Sequence, residues 1–146
     1  MTAIIMPDAC DILMEALSIS GTAFYDLVKN TGTPVTLRIY GPDGANEAFD
    51  NTKSACFFSP RGGQSVIGPE LKVSFQFKLF SGTASKKECV ALYRALCDIL
   101  HEQNMIYTTS GVVMHATKDV EGLPDNDPVE GWPYVLAFFT CTIKGK

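Results

Sequence analysis

Leu71-Lys-Val-Ser-Phe-Gln-Phe-Lys-Leu79, followed after a break by Ser85-Lys-Lys-Glu-Cys-Val-Ala-Leu-Tyr-Arg-Ala-Leu-Cys-Asp-Ile-Leu-His-Glu-Gln103, is the stretch whose reading decides the fold. In its first part Leu71, Val73, Phe75, Phe77 and Leu79 fall on every second position, with Lys72, Ser74, Gln76 and Lys78 between them. That period of two predicts a strand with one dry and one polar face. After Ser81-Gly-Thr-Ala84 the period changes: Cys89, Val90, Leu92, Tyr93, Leu96, Cys97, Ile99 and Leu100 recur at three- and four-residue spacings. Ser85 followed by Glu88 has the form of a capping box, so a helix is expected over 85–103. The stripe of this helix and the dry face of the strand each need a partner, and packing one on the other gives a helix-on-sheet layer.

Working outward, Asp8 can cap a first helix to about Ser18, with Ile12, Leu13, Ala16 and Leu17 on its buried side and Gly21 after its end. Thr22–Lys29 fits either a helical turn or a short strand. Thr33–Tyr40 alternates through Val35, Leu37 and Ile39 and is expected to be a strand. Gly41–Lys53 is turn chemistry, Ser54–Phe58 is strand-like, and Ser59-Pro-Arg-Gly-Gly63 is expected to be a second tight turn before the Gly68-Pro69 break. Met105–Thr109 and Val112–Thr117 are strand-like, Lys118–Gly131 is expected to be a long loop, and Tyr134–Lys144 is the closing strand. No internal repeat or low-complexity tract is present. Runs of strands separated by single helices predict an α+β fold: a mostly antiparallel sheet with one long and one short helix packed on one face, in one domain spanning residues 1–146.

A chain of 146 residues suits one hydrophobic core. Hydrophobic residues at 46% against 19% charged residues place it among folded domains, not disordered ones. The formal charge of −4, with only Lys86 and Lys87 adjacent among the basic residues, argues against a nucleic-acid-reading surface. The opening residues break at Pro7-Asp8 before a signal-peptide core could form, and no apolar run approaches the roughly 20 residues that span a bilayer. No membrane partner is expected. Cys10, Cys56, Cys89, Cys97 and Cys141 are odd in number and lack paired short spacing, so they read as reduced core thiols.

No catalytic constellation emerges, and the expectation is a protein that is not an enzyme. Cys97 and His101 lie one helical turn apart, the spacing of a thiolate–imidazolium pair, but Cys97 also continues the buried stripe. Zinc would need a second close pair of ligands. Asp125-Asn-Asp127 resembles the start of a calcium loop, yet the sixth-position glycine and twelfth-position glutamate are missing. Arg61-Gly-Gly63 opens no helix and carries no following lysine, so it is no phosphate cradle. No cofactor or metal is expected.

Two features remain. The closing strand Tyr134–Lys144 is apolar on both faces, with Tyr134, Leu136 and Phe138 on the side opposite Val135, Ala137 and Phe139, so it is either central in a covered sheet or covered by something outside the chain. Ahead of it, the acidic 118–131 segment carries Leu123-Pro124 and leads into Trp132, the only tryptophan. Loops of that length are usually functional or disordered, and the tryptophan reads either as an interface residue or as a core residue beside a solvated loop. Leu123, Pro124, Asp125, Asp127, Trp132, Tyr134, Leu136 and Phe138 are therefore the expected interface with other protein copies.

The order of elements resembles the tail-terminator and minor capsid proteins that join head to tail in long-tailed bacteriophages. The residues carrying the resemblance are Asp8–Ser18, Val35-Thr-Leu-Arg-Ile-Tyr-Gly-Pro42, Val73–Phe80, Ser85–Gln103, and Gly111–Thr117 with Trp132–Lys144. Asp127-x-x-x-Gly131-Trp-Pro-Tyr134 before an apolar strand is the most suggestive part. The resemblance implies a virion protein, assembled in the host cytoplasm. It implies a ring of copies, usually a hexamer, that caps the tail tube and joins the neck, with tail-tube and connector proteins as neighbours. DNA would pass through the lumen without specific binding. The rival readings are a tail-tube protein of related fold, and a small thiol enzyme or ligand-binding domain using Cys97, or Cys56 beside Ser59–Gly63.

Overall fold

The computed structural model describes residues 8–30, 32–42, 53–65, 70–81, 85–126, 128 and 131–145. Chain order is α1 (Ala9–Leu17), α2 (Ala23–Val28), β1 (Ile39–Tyr40), β2 (Ala55–Ser65), β3 (Glu70–Phe80), α3 (Lys86–Leu100), β4 (Gln103–Tyr107), β5 (Gly111–Val120), β6 (Pro124–Asn126) and β7 (Pro133–Gly145). The strands form one sheet in the order β1-β2-β3-β7-β5-β4, with β6 paired to β7 beside the start of that strand.

This corrects the expected α+β fold of a mostly antiparallel sheet with one long and one short helix. The sheet is mixed, because β1 runs parallel to β2. It dominates the molecule, with 47% of the described residues in strands. Among the described residues there are three helices, all short, of 9, 6 and 15 residues. Two physical reasons account for the difference. Ser59-Pro-Arg-Gly-Gly63 does not turn the chain: β2 runs through it, with a register shift between Pro60 and Gly63 and Gly62 at φ 124°. Proline and glycine are tolerated there because β2 pairs with β1 only at Cys56 and Phe57, and a bulge absorbs the extra residue. At the other end α3 stops short of Gln103, since His101 leaves the helical region and Glu102 takes φ 57°. The freed residues join β4.

The central stretch folds as its periodicity dictates. Val73, Phe75, Phe77 and Leu79 are buried, while Lys72 faces solvent and Ser74, Gln76 and Lys78 are half-buried. Ser85 caps α3 by accepting from the Glu88 amide at 3.3 Å. Ser81 completes that cap, donating to the Glu88 carboxylate at 2.7 Å and accepting from the Ser85 amide at 3.4 Å. Asp8 caps α1 through the amides of Cys10 and Asp11, both at 3.1 Å. The buried residues of α1, α2 and α3 join Phe58, Phe75, Phe77, Phe139, Cys141 and Ile143 in one core cluster.

Thr33–Tyr40 is a strand only at its last two residues. Val35 is 47% exposed, and the segment is clipped to the end of α2 by Asn30 N–H to Thr36 O at 2.8 Å and Arg38 N–H to Val28 O at 2.9 Å. Arg38 is the reason for the clip. Its buried guanidinium donates to the carbonyls of Leu27, Lys29 and Ser54 and to Asn30 Oδ1, tying α2 to the start of β2. The 82–84 break, most of the Gly41–Lys53 turn and the Gly68-Pro69 break lie outside the described residues.

Candidate interface

The sheet has two faces of different character. The inner one, with Phe58, Phe75, Phe77 and Phe139, lies in the core shared with the helices. The outer one is defined by register: Phe80 lies opposite Tyr134, Lys78 opposite Leu136 and Phe57, Gln76 opposite Phe138 and Ser59. Tyr40 extends the outer row from β1, its ring stacked on Phe57 at 4.8 Å. Phe57 meets Phe80 edge-on at 5.5 Å, and Phe80 meets Trp132 at 6.0 Å and Tyr134 at 6.2 Å. The Lys78 ammonium lies 4.8 Å from the Phe80 ring centre and 4.7 Å from that of Tyr134. A cation so placed is held by the ring quadrupoles. Tyr40, Gly41, Phe57, Ser59, Gln76, Lys78 and Phe80 line a groove on this face. Inside it, Gln76 Oε1 is buried and has no hydrogen-bond partner.

The expected interface residues divide into two groups. Trp132, Tyr134, Leu136 and Phe138 join the outer face, three of them half-buried and Leu136 36% exposed. Leu123, Pro124 and Asp125 lie beyond the opposite side of β7 from β3, on and beside β6. Asp127 lies outside the described residues. The sequence reading missed Tyr40, Phe57, Lys78 and Phe80. The one local signal for them was an alternating strand ending in Lys-Leu-Phe80, because their meeting depends on the long-range pairing of β1, β2 and β3.

The 118–126 part of the expected loop is tied to its own chain. Lys118–Val120 continue β5, the Lys118 ammonium pairs with Glu121, and Thr140 Oγ1 bonds the Asp119 carboxylate at 2.8 Å. That hydrogen-bonded ion pair lowers the Glu121 carboxyl below, and raises the Lys118 ammonium above, their ordinary pKa values. Tyr93 Oη accepts the Gly122 amide at 3.0 Å, and Pro124, Asp125 and Asn126 pair with Val135, Tyr134 and Pro133. A Cβ on Gly122 would meet Val135 Cγ1 at 2.7 Å and the Tyr93 ring at 3.0 Å, so glycine is needed for this approach. Leu123, between these anchors, is 73% exposed.

Cys97 and His101 are engaged separately. The Cys97 thiol interacts with the Tyr93 hydroxyl, and burial pushes its pKa up, away from the thiolate. His101 Nδ1 accepts the Lys118 amide at 3.1 Å, which commits that nitrogen to the acceptor role. Cys56 is fully buried beneath the sheet, and desolvation raises its thiol pKa strongly. Among the described residues no group of three or more His, Cys, Asp and Glu could hold a metal ion. No helix among them is long and apolar enough to cross a membrane.

The fold and this face define a small sheet domain with one side covered by its own helices and the other built from rings and a lysine. No protein-family model and no curated protein sequence matches the chain. Among solved structures, its fold is similar to that of a chain in the virion of a native gene transfer agent particle. The TM-score is 0.58 at 12% identity, over 94% of this chain and 95% of that one. At that identity the likeness is one of fold.

Proposed function

We propose that the chain is a structural protein of a bacteriophage-like virion, assembled in the host cytoplasm, which forms a ring of its own copies at the head–tail junction. The ring caps the tail tube and joins it to the neck, with tail-tube and connector proteins as neighbours and DNA passing through without specific binding. The observation that carries this reading is the shared fold with a virion chain over nearly the whole length of both. The order of elements that resembles head–tail joining proteins agrees with it. The outer face supports it as well, since aromatic rings, Leu136 and a ring-held lysine suit burial against another protein.

The test is to label the protein in purified particles with an antibody and image them, together with its native mass in solution. A single focus at the neck and a defined multimer are expected. Label along the whole tail would instead favour the tail-tube reading. Absence from particles, with a monomer at all concentrations, would overturn the proposal.

A further inference from the structure

We propose that His101 is an acid-opened latch: its neutral imidazole ties the end of α3 to the end of β5, and a second proton on the imidazole undoes the tie. The device belongs to the single chain, whatever that chain assembles with.

The latch sits where backbone pairing runs out. The β4–β5 ladder ends at Gln103 and Ala116, and the Glu102 amide donates to the Ala116 carbonyl at 2.8 Å. Two residues on, Lys118 N–H is the next donor along that edge of β5, beyond the end of the ladder. The chain has already turned away toward α3 there, with Glu102 at φ 57° and His101 as the helix C-cap. His101 Nδ1 takes the place of a strand carbonyl and accepts Lys118 N–H at 3.1 Å.

A backbone N–H can only donate, so Nδ1 offers a lone pair and the neutral imidazole has its proton on Nε2. A second proton has to enter at Nδ1, where it would point at the Lys118 hydrogen. The charged imidazole and this hydrogen bond exclude each other. The His101 side chain is 30% exposed, so a proton reaches it without unfolding.

The surroundings give the charged side chain other partners. Glu102 Oε1 lies 3.8 Å from Nε2, and Glu121 is near enough for its carboxylate to be favoured by a positive charge at His101. The Lys118 ammonium, which repels an imidazolium, is engaged by Glu121. On α3 burial keeps Tyr93 and Cys97 neutral, and Asp98 adds a carboxylate on the Cys97 side. Carboxylates outnumber the ammonium around His101, so this setting favours the imidazolium with the latch open.

His115, the other histidine, is wired the opposite way. Its Nδ1 faces Asn104 Oδ1, an acceptor, so Nδ1 donates and Nε2 is left to take the second proton. Charging His115 keeps its bond, whereas charging His101 breaks its own.

The test is amide hydrogen exchange of the full chain, followed by NMR at about pH 7.5 and about pH 5, the range over which imidazoles change charge. Exchange is expressed as protection factors, which remove its intrinsic pH dependence, and the nitrogens of both imidazoles are observed in parallel. At the higher pH the His101 proton should be on Nε2. Lys118 protection should fall at least ~10-fold at the lower pH, the loss of one hydrogen bond, while amides of the β3–β7 ladder keep theirs. His101→Asn places Oδ1 where Nδ1 stands and cannot be charged, so Lys118 should be equally protected at both pH values. His115→Asn should respond as the parent does. Equal Lys118 protection at both pH values in the parent overturns the latch, whether or not His101 has taken up a proton. A fall that persists in His101→Asn also overturns it, since another group is then responsible.

Discussion

The two faces of β3 carry adjacent residues of one strand and behave as different materials. On the inner side Val73, Phe75, Phe77 and Leu79 lie under the helices, with Phe77 edge-on to Phe139 at 5.4 Å. On the outer side Lys72, Ser74, Gln76 and Lys78 share their face with Phe80, Tyr134, Leu136 and Phe138. Both faces are rich in rings. Inside, Phe58, Phe75, Phe77 and Phe139 pack on one another. Outside, the rings are interleaved with Lys78, with the Ser74–Thr140 hydroxyl pair at 3.4 Å, and with Asp119 on Thr140. A dry aromatic layer holds a fold together, whereas an aromatic layer carrying polar groups suits a surface that is wet at one time and covered at another.

The largest way to break this comparison is at the centre of the dry side. Phe75→Ala should destabilise the chain by about 3–5 kcal/mol, measured by denaturant unfolding, because the cavity has no solvent to fill it. A loss below about 1 kcal/mol would mean that the inner face is not close-packed. The anchor beneath Leu123, the Tyr93–Gly122 hydrogen bond, comes next. Tyr93→Phe removes the acceptor of a buried Gly122 amide and should cost about 1–3 kcal/mol. It should also speed proteolysis within 121–128.

On the outer face a smaller effect of opposite sign is expected. Gln76→Met replaces a buried acceptor lacking a partner by an apolar group of similar length, and should stabilise the unassembled chain by up to about 1 kcal/mol. Unchanged or lower stability would mean that the Gln76 acceptor is satisfied in the folded chain. The smallest effect is the absence of one below pH 8. Burial raises the thiols of Cys89 and Cys141 to about 11 and about 12, so the folded chain keeps them neutral. Unfolded thiols ionise near pH 8.5. Their contribution to stability is therefore complete below that pH and is lost as pH rises toward 11–12. Unfolding midpoints at pH 7, 8 and 10 should be level between the first two and lower at the third. Thiol labelling of the folded chain at pH 8 should be slow at Cys56, Cys89 and Cys141.

Local periodicity made the register of β3, the buried stripe of α1, the Ser85 cap and most of the stripe of α3 legible in the sequence. What was illegible depended on distant partners. Pro60, Gly62 and Gly63 carry turn propensity, and their place at a bulge in β2, beyond its two residues paired with β1, lets them continue a strand. Arg38 reads as the polar residue of an alternating strand, yet it is buried because carbonyls of three other residues converge on it. The same limit applies to the candidate interface. Trp132, Tyr134, Leu136 and Phe138 could be read from a strand apolar on both sides. Tyr40, Phe57 and Lys78 could not, since three strands separated in sequence bring them together. Lys118–Gly131 reads as a long loop, yet its described residues continue β5 and form β6, held by the Lys118–Glu121 pair and the Tyr93 hydroxyl, partners that local composition does not reveal.

The central claim is that the outer face is covered when copies of the chain assemble. Trp132 is the only tryptophan in the sequence, and it stands against Phe80 on that face. Its emission is therefore a direct reporter. Recorded across a dilution series that spans the assembly transition, the emission maximum should shift to shorter wavelength as mass rises, with loss of quenching by acrylamide over the same concentrations. Assembly with an unchanged Trp132 spectrum and unchanged quenching would contradict the account, and the contact between copies would then lie on another surface.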